Sequence, residues 1–311
     1  MVTGGGSLPV TREVQDPPRA RASLRSELVF LLQASRPGLW LTAIAFYMLP
    51  LAQRNVFHSV AFWLGALYVS LPMGLLLYGW NDIVDYEADR FNPRKGTFLF
   101  GARGTPEQLR GLPLRIALAQ APFVIACSLL GGARMLLCFA GMIAAAALYN
   151  WPRFGFKARP PLEILNQAGY LFVFLLSSWI NHVPLLPWAT LVFGALFAMH
   201  SHVFGEVMDL EPDRASGRRT TAGVIGRVPA KLLIVGLLLC EAGLVVQFFG
   251  AKELAAFLLL TAAWFAVDAM LIWRSRPYSN RTMRFFLLAW NAIALISMPW
   301  MWSKAILLQM R

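Results

Sequence analysis

Acidic residues are scarce in this sequence. Asp and Glu number 16 in 311 residues, against 28 Lys and Arg, and charged residues of all kinds make up 14% of the chain. Soluble domains carry about 25% charged residues, so the shortage excludes an ordinary soluble fold. Cysteine is nearly absent as well. Cys127, Cys138 and Cys240 fall inside apolar stretches with no CxxC spacing, which excludes a disulfide framework or a zinc site and leaves packing as their role. No Ser, Cys or His nucleophile triad is evident.

What the chain has instead is apolar length. Hydrophobic residues make up 58% of it, and the mean hydropathy is +0.56. Nearly uncharged segments of about 18 residues or more, the length a helix needs to cross a bilayer core, recur throughout. The pattern predicts nine spans, at 37–53, 60–80, 113–131, 134–151, 162–181, 187–208, 231–250, 253–273 and 285–303. The predicted fold class is therefore an all-α, polytopic membrane protein. Residues 1–25 have no apolar signal-peptide core and read as a disordered cytosolic tail, with 26–311 as a single transmembrane domain.

Basic residues set the orientation. They crowd into the N-terminal segment and loops 2–3, 4–5, 6–7 and 8–9, while only Arg54, Arg134, Lys252, Lys304 and Arg311 fall on the other side. This alternation predicts a cytosolic N-terminus and loops, in a bacterial inner membrane. The net charge of +12 is thus a topology signal, and no nucleic-acid partner is expected. The remaining basic charge can attract membrane lipid headgroups or a diphosphate.

The few acids are clustered. Asp82, Asp85 and Asp89 in the run from Asn81 end span 2 at spacings i, i+3 and i+7, which is one helix face. Like charges on one face repel, and hard divalent cations such as Mg²⁺ relieve that repulsion. Asp209 and Asp213 end span 6 at i, i+4, and Glu206 and His202 extend the stripe backwards. Pro212 is expected to loosen the helix there. The two clusters lie four spans apart at equal predicted depth. Arg94, Lys95, Arg153, Lys157, Arg159, Arg218 and Arg219 share their loops, and acids beside Arg forks and Lys point charges suit a metal-bound polyphosphate. Any one of these bases also serves as ordinary positive-inside charge.

At these residues the sequence resembles the UbiA superfamily of intramembrane prenyltransferases. Asn81, Asp82, Asp85 and Asp89 match its NDxxDxxxD motif. Asp209 and Asp213, with Gly217 and Thr220 behind them, match its DxxxD motif and trailing GxxT, and Tyr149 with Arg153 resembles its Tyr-plus-four basic signature. The resemblance implies about nine helices around a central cavity. It implies a polyprenyl diphosphate donor held with Mg²⁺ by Asp82, Asp85, Asp89, Asp209 and Asp213. Asp85, Asp209, Tyr149 and Arg153 would be catalytic, and Asn81, Arg94, Lys95, Lys157, Arg218, Arg219 and Asn166 would bind substrate. Diphosphate would leave an allylic carbon, sheltered from water by aromatic walls, with Tyr78, Trp80 and Trp151 beside the motifs as candidates.

The lipophilic acceptor stays open at this level. The Arg94-Lys95-Gly96 run and the segment from Glu211 to Thr221 look most like the lycopene-elongase branch. Aromatic or quinone-type, carotenoid or other isoprenoid, and tetrapyrrole acceptors all occur in such a family, as does cyclisation of the donor alone. Asn166, Gln167, His200, His202, Glu241, Asp268 and Asn291 are polar residues within spans. Each is either an interhelical hydrogen bond or part of an acceptor site, and Glu241 or Asp268 is a candidate proton acceptor. A transporter is the rival class. It is disfavoured because the clustered acids sit at helix ends and away from the midplane.

Overall fold

The computed structural model describes residues 23–310. Most of the expected tail, residues 1–22, and Arg311 lie outside the described residues, while Leu24 and Arg25 already belong to the first helix. Among the described residues every regular element is helical, apart from one isolated bridge between Thr97 and Gly101. The helices are α1 (Leu24–Ala34), α2 (Trp40–Met48), α3 (Val60–Gly74), α4 (Trp80–Val84), α5 (Tyr86–Asp89), α6 (Pro106–Gly131) and α7 (Arg134–Asn150). They continue with α8 (Leu162–Leu165), α9 (Phe172–Ile180), α10 (Trp188–Ala215), α11 (Thr221–Ile225), α12 (Arg227–Phe249), α13 (Lys252–Met270) and α14 (Asn280–Lys304).

Local chemistry sets the boundaries. Thr105 and Gln108 form a reciprocal capping box at the start of α6, with Pro106 at its first position, where no amide donor is needed. The Ser279 side chain caps α14 in the same way by accepting from the Thr282 amide. Seven helical stretches among the described residues are long and apolar enough to cross a membrane. The expected count of nine is not reproduced, for two reasons. The fourth predicted span is a shorter helix of 17 residues, Arg134–Asn150. The fifth, predicted over 162–181, is built in three pieces: a turn of α8, the 3₁₀ stretch Asn166–Leu171, and α9.

The helices pack in order around a ring. α3 packs on α2 and α6, α6 on α7, and α7 on α9; α10 packs on the 3₁₀ stretch and on α12, α12 packs on α13, and α14 returns to α2. Two cores result. One gathers Tyr47, Tyr68, Cys138 and Leu176 from α2, α3, α7 and α9, and the other gathers Val207, Ile234, Val245 and Leu258 from α10, α12 and α13. Lipid is as apolar as leucine, so close packing and internal hydrogen bonds hold such helices together. Tyr68 Oη donates to Gln120 Oε1 at 3.0 Å, and Gln120 in turn donates to the carbonyl of Pro72 at 2.7 Å, inside α3.

That proline lies just before a π turn, Leu75–Gly79, which precedes the first acid motif. At Gly74 the chain of α3 meets the end of α1 so closely that a Cβ would stand 2.4 Å from the Ser35 carbonyl oxygen. Only glycine allows this approach, and it brings the next residue, Arg36, beside Asp82.

Candidate active site

Helical hydrogen bonding continues through the first motif, with the Asp85 amide donating to Asn81 O at 2.9 Å and the Asp89 amide to Asp85 O at 2.8 Å. Asp85 itself adopts φ −90°, ψ 3° between α4 and α5. This is the sparsely populated bridge region in which active-site residues recur. Asp82 and Asp85 are buried, at 3% and 4% exposure. Buried carboxylates need partners, and here the partners are bases from distant loops. Lys95 Nζ reaches Asp82 at 2.5 Å and Asp89 at 2.8 Å, and Arg36 reaches Asp82 at 3.3 Å. Lys157 Nζ reaches Asp85 at 2.5 Å and Asn81 Oδ1 at 2.5 Å, while Asn81 donates to Asp85 Oδ2 at 2.9 Å.

The second motif stands on α10, which runs as one helix past Pro212 to Ala215, so the expected loosening does not occur. A proline leaves the carbonyl four residues back without its helical donor. Arg227 binds beside that point, donating to Val207 O at 2.8 Å and pairing with Glu211. α10 ends in a left-handed turn at Gly217, φ +73°, and Thr220 then caps α11 by accepting from the Gly223 amide. The GxxT pattern thus ends one helix and starts the next, which aims Arg218 back at the acids. Two buried carboxylates hold α11 in place: Glu163 accepts from the Thr221 amide at 2.8 Å and Glu206 from the Ala222 amide at 2.9 Å.

The two motifs meet. Arg218 pairs with Asp85 of the first and with Asp213 of the second, the latter at 3.2 Å. From the loop after the first motif, Arg94 pairs with Asp209, and Asn92 donates to the same oxygen at 3.0 Å. Burial pushes the Asp85 carboxyl upward, but Lys157 and Arg218 outweigh it and hold the group below the usual carboxylate range. Burial pushes Asp89 up against the pull of Lys95, with Asp85 and Asp82 adding to the rise.

Two predicted bases stand apart. Arg153 and Arg219 are exposed, and no ion pair joins them to the acids among the described residues. The base that reaches Asp85 from this loop is Lys157. After α7 the chain folds back, the Phe156 amide donating to Leu148 O at 2.7 Å and the Lys157 amide to Tyr149 O at 3.1 Å. Lys157 Nζ thereby lies 5.6 Å from the centre of the Tyr149 ring. Asn166 donates to Ala145 O at 3.2 Å, which is an interhelical bond. Trp151 is 55% exposed. Tyr78 is within the site: its hydroxyl lies 2.6 Å from that of Tyr170, and Arg36 sits 4.7 Å over its ring.

Arg36, Glu163, Glu206 and Tyr170 complete the site. Arg36 reads in sequence only as positive-inside charge, and Glu163 as an isolated acid. Several other polar residues within spans are spent on packing. Asn291 donates to Gly38 O at 2.8 Å, Gln167 donates to Glu163 O at 2.9 Å, and Asp268 is closed off by Lys231 at 2.9 Å and by Tyr278.

Comparison with known proteins agrees with this architecture. Residues 39–307 match the UbiA prenyltransferase family. The lycopene elongase/hydratase of Corynebacterium glutamicum is 28% identical over 275 residues, which cover 85% of this chain and 93% of that protein. That of Halobacterium salinarum is 31% identical over 185 residues, covering 56% and 62%. The structure of a UbiA homolog from Archaeoglobus fulgidus bound to DMAPP and Mg²⁺ superposes with a TM-score of 0.68 at 17% identity, covering 89% of this chain and 99% of that one.

Proposed function

The chain belongs to the UbiA prenyltransferase family, and from that premise we propose that it joins a prenyl group, taken from its diphosphate, to an isoprenoid acceptor of the lycopene type. It is an integral membrane protein, and the positive-inside pattern favours an acid cluster facing the cytosol. The observation that carries the reading is the convergence of both acid motifs on Arg218. The similarity to lycopene elongase/hydratases along 85% of the chain favours an isoprenoid acceptor over an aromatic one.

The residues suit Mg²⁺. Their donors are hard carboxylate oxygens, and Asp82 Oδ2 is buried without a hydrogen-bond partner. Among the described residues no three His, Cys, Asp or Glu side chains converge into a metal cage. Magnesium is ordinarily held by one or two carboxylates together with substrate phosphate oxygens, so the donor's diphosphate completes the set. Asp82, Asp85, Asp89, Asp209 and Asp213 would hold it, and bound there it stabilises charge on the departing diphosphate. Lys95, Lys157, Arg94 and Arg218 shift from carboxylates to phosphate oxygens as the donor binds. The allylic C–O bond then breaks with its electron pair going to the diphosphate, and the apolar interior keeps water from the exposed carbon.

The test is an assay in membranes with labelled dimethylallyl diphosphate, Mg²⁺, and lycopene beside a panel of aromatic acceptors. Label is expected in the polyene. Label in aromatic products alone overturns the acceptor, and turnover in excess chelator overturns the metal.

A further inference from the structure

Nine residues before Asp209, and so about 13 Å away along α10 at about 1.5 Å per residue, lies a pair that the transfer reading leaves without a task. His200 Nδ1 is 2.6 Å from Glu241 Oε1 of α12. Both residues are buried, His200 at 4% and Glu241 at 0% exposure, in the middle of membrane-crossing helices. Glu241 Oε2 is buried without a partner. A carboxylate at such depth is costly, and acids inside membranes mark proton and substrate paths. Asp268, near the end of its own helix, is fully engaged by Lys231 and Tyr278 and only anchors a loop. The His200–Glu241 pair is different because it is half satisfied.

Its surroundings are aromatic. The imidazole stands edge-on to Phe197 at 5.1 Å and to Trp290 at 6.3 Å. Phe46 of α2 joins Phe197 at 5.4 Å, so rings from α2, α10 and α14 meet around the histidine inside the ring of helices. Aromatic faces stabilise a cation, and a neutral imidazole among them can take a proton from one. The Nδ1 contact selects the tautomer. With Nδ1–H donated to the carboxylate, Nε2 carries the free electron pair and has no protein partner among the described residues.

We infer that His200 is the base that ends the transfer, with Glu241 as its positioning residue. The inference rests on the prenyl-transfer reading. After the donor's C–O bond has broken, the π pair of the acceptor double bond forms the new C–C bond and leaves an adjacent carbon positive. A neighbouring C–H bond then gives its electrons to a new C=C bond and its proton to His200 Nε2. Glu241 stabilises the resulting imidazolium until water takes the proton after product release.

The experiment measures two quantities on the same purified full-length protein in lipid vesicles: diphosphate released from labelled dimethylallyl diphosphate, and prenylated acceptor formed. In His200→Gln, diphosphate release should stay within about 3-fold of wild type while prenylated product falls about 100-fold, the scale of a lost general base. The label should appear instead in a hydrated adduct, in which water has trapped the cation left by C–C bond formation, because the base acts only after that bond has formed. Glu241→Gln keeps an acceptor for Nδ1–H but loses the charge, so its product should fall by about 10-fold, and the double variant should lose no more than His200→Gln alone. Equal loss of both quantities in the two variants, or normal product in either, overturns the assignment. Wild-type protein that prenylates a non-polyene acceptor overturns only the proposed acceptor, and the same partition measured with that acceptor still decides the base. Wild-type protein that releases no diphosphate overturns the transfer reading and the base together.

Discussion

The helix leading to Asp82, Asp85 and Asp89 is interrupted twice, at the π turn Leu75–Gly79 and at Asp85, whereas α10 carries Asp209 and Asp213 on one unbroken run. Burial differs at the first acid of each motif, while Asp213 is as buried as Asp85. The side chain of Asp82 is 3% exposed and that of Asp209 is 37% exposed. π turns and bridge-region residues re-aim side chains that a regular helix would leave along one stripe. The irregular helix therefore turns its acids inward, onto Lys95, Lys157 and Arg218, and the regular one leaves its first acid half open to the entrance. Motifs that look alike in sequence thus serve unlike ends of one site, a deep electrostatic anchor and a more exposed rim.

Metal removal tests what the two ends share and has the largest expected effect. Excess EDTA should abolish diphosphate release, and added Mg²⁺ should restore it. Next, Asp85→Asn should lower turnover by about 10²–10³ with every acceptor, the scale of a lost electrostatic contact in the transition state. The same substitution breaks buried pairs, which costs about 3–5 kcal/mol. Asp209→Asn loses a single ion pair, with the carboxylate itself 37% exposed and its Arg94 partner buried. It is expected to cost less than Asp85→Asn, which breaks pairs with both Lys157 and Arg218. Thermal unfolding in detergent should show a clearly lower Tm for Asp85→Asn than for Asp209→Asn, and equal Tm values would erase the anchor–rim distinction. Arg218→Lys removes the fork that joins both ends. A hydrogen bond to a charged group is worth about 1.5–3 kcal/mol, so KM for the donor should rise by about 10-fold or more with a smaller change in kcat. Gly217→Ala should have the smallest effect. Open space surrounds that position, so only its left-handed backbone resists a side chain, at about 1–2 kcal/mol. A modest rise in KM that tracks Arg218→Lys would tie the turn to the placement of Arg218.

Membrane class and both acid motifs were legible in sequence because hydropathy and helical spacing are local properties. Arg94, Lys95, Lys157 and Arg218 were legible too, from the loops they share with the acids, but which acid each one reaches was not, since that pairing comes from folding over long separations. Arg36 follows the first helix by sequence, yet it reaches Asp82 only because Gly74 admits the Ser35 carbonyl. Spacing from Tyr149 pointed to Arg153, but the backbone returns after Trp151 and delivers Lys157 instead. The fifth span read as a plain apolar segment, because nothing in its hydropathy separates an α-helix from the 3₁₀ turns of Asn166–Leu171. Pro212 suggested a break that α10 does not make, and Arg227, the first residue of α12, binds beside the weakened turn.

Asp82 and Asp89 are matched by Lys95 and Arg36, Asp85 by Lys157, Asp209 by Arg94, and Asp213 by Arg218. Such a cluster is close to electroneutral before anything binds. A diphosphate arriving alone would bring anionic charge that no base is left to balance, and a cation arriving alone would leave the lysines and arginines facing one another. Neither species gains by entering first. The occupancy of each should therefore rise steeply with the concentration of the other, so that the entrance responds to their product.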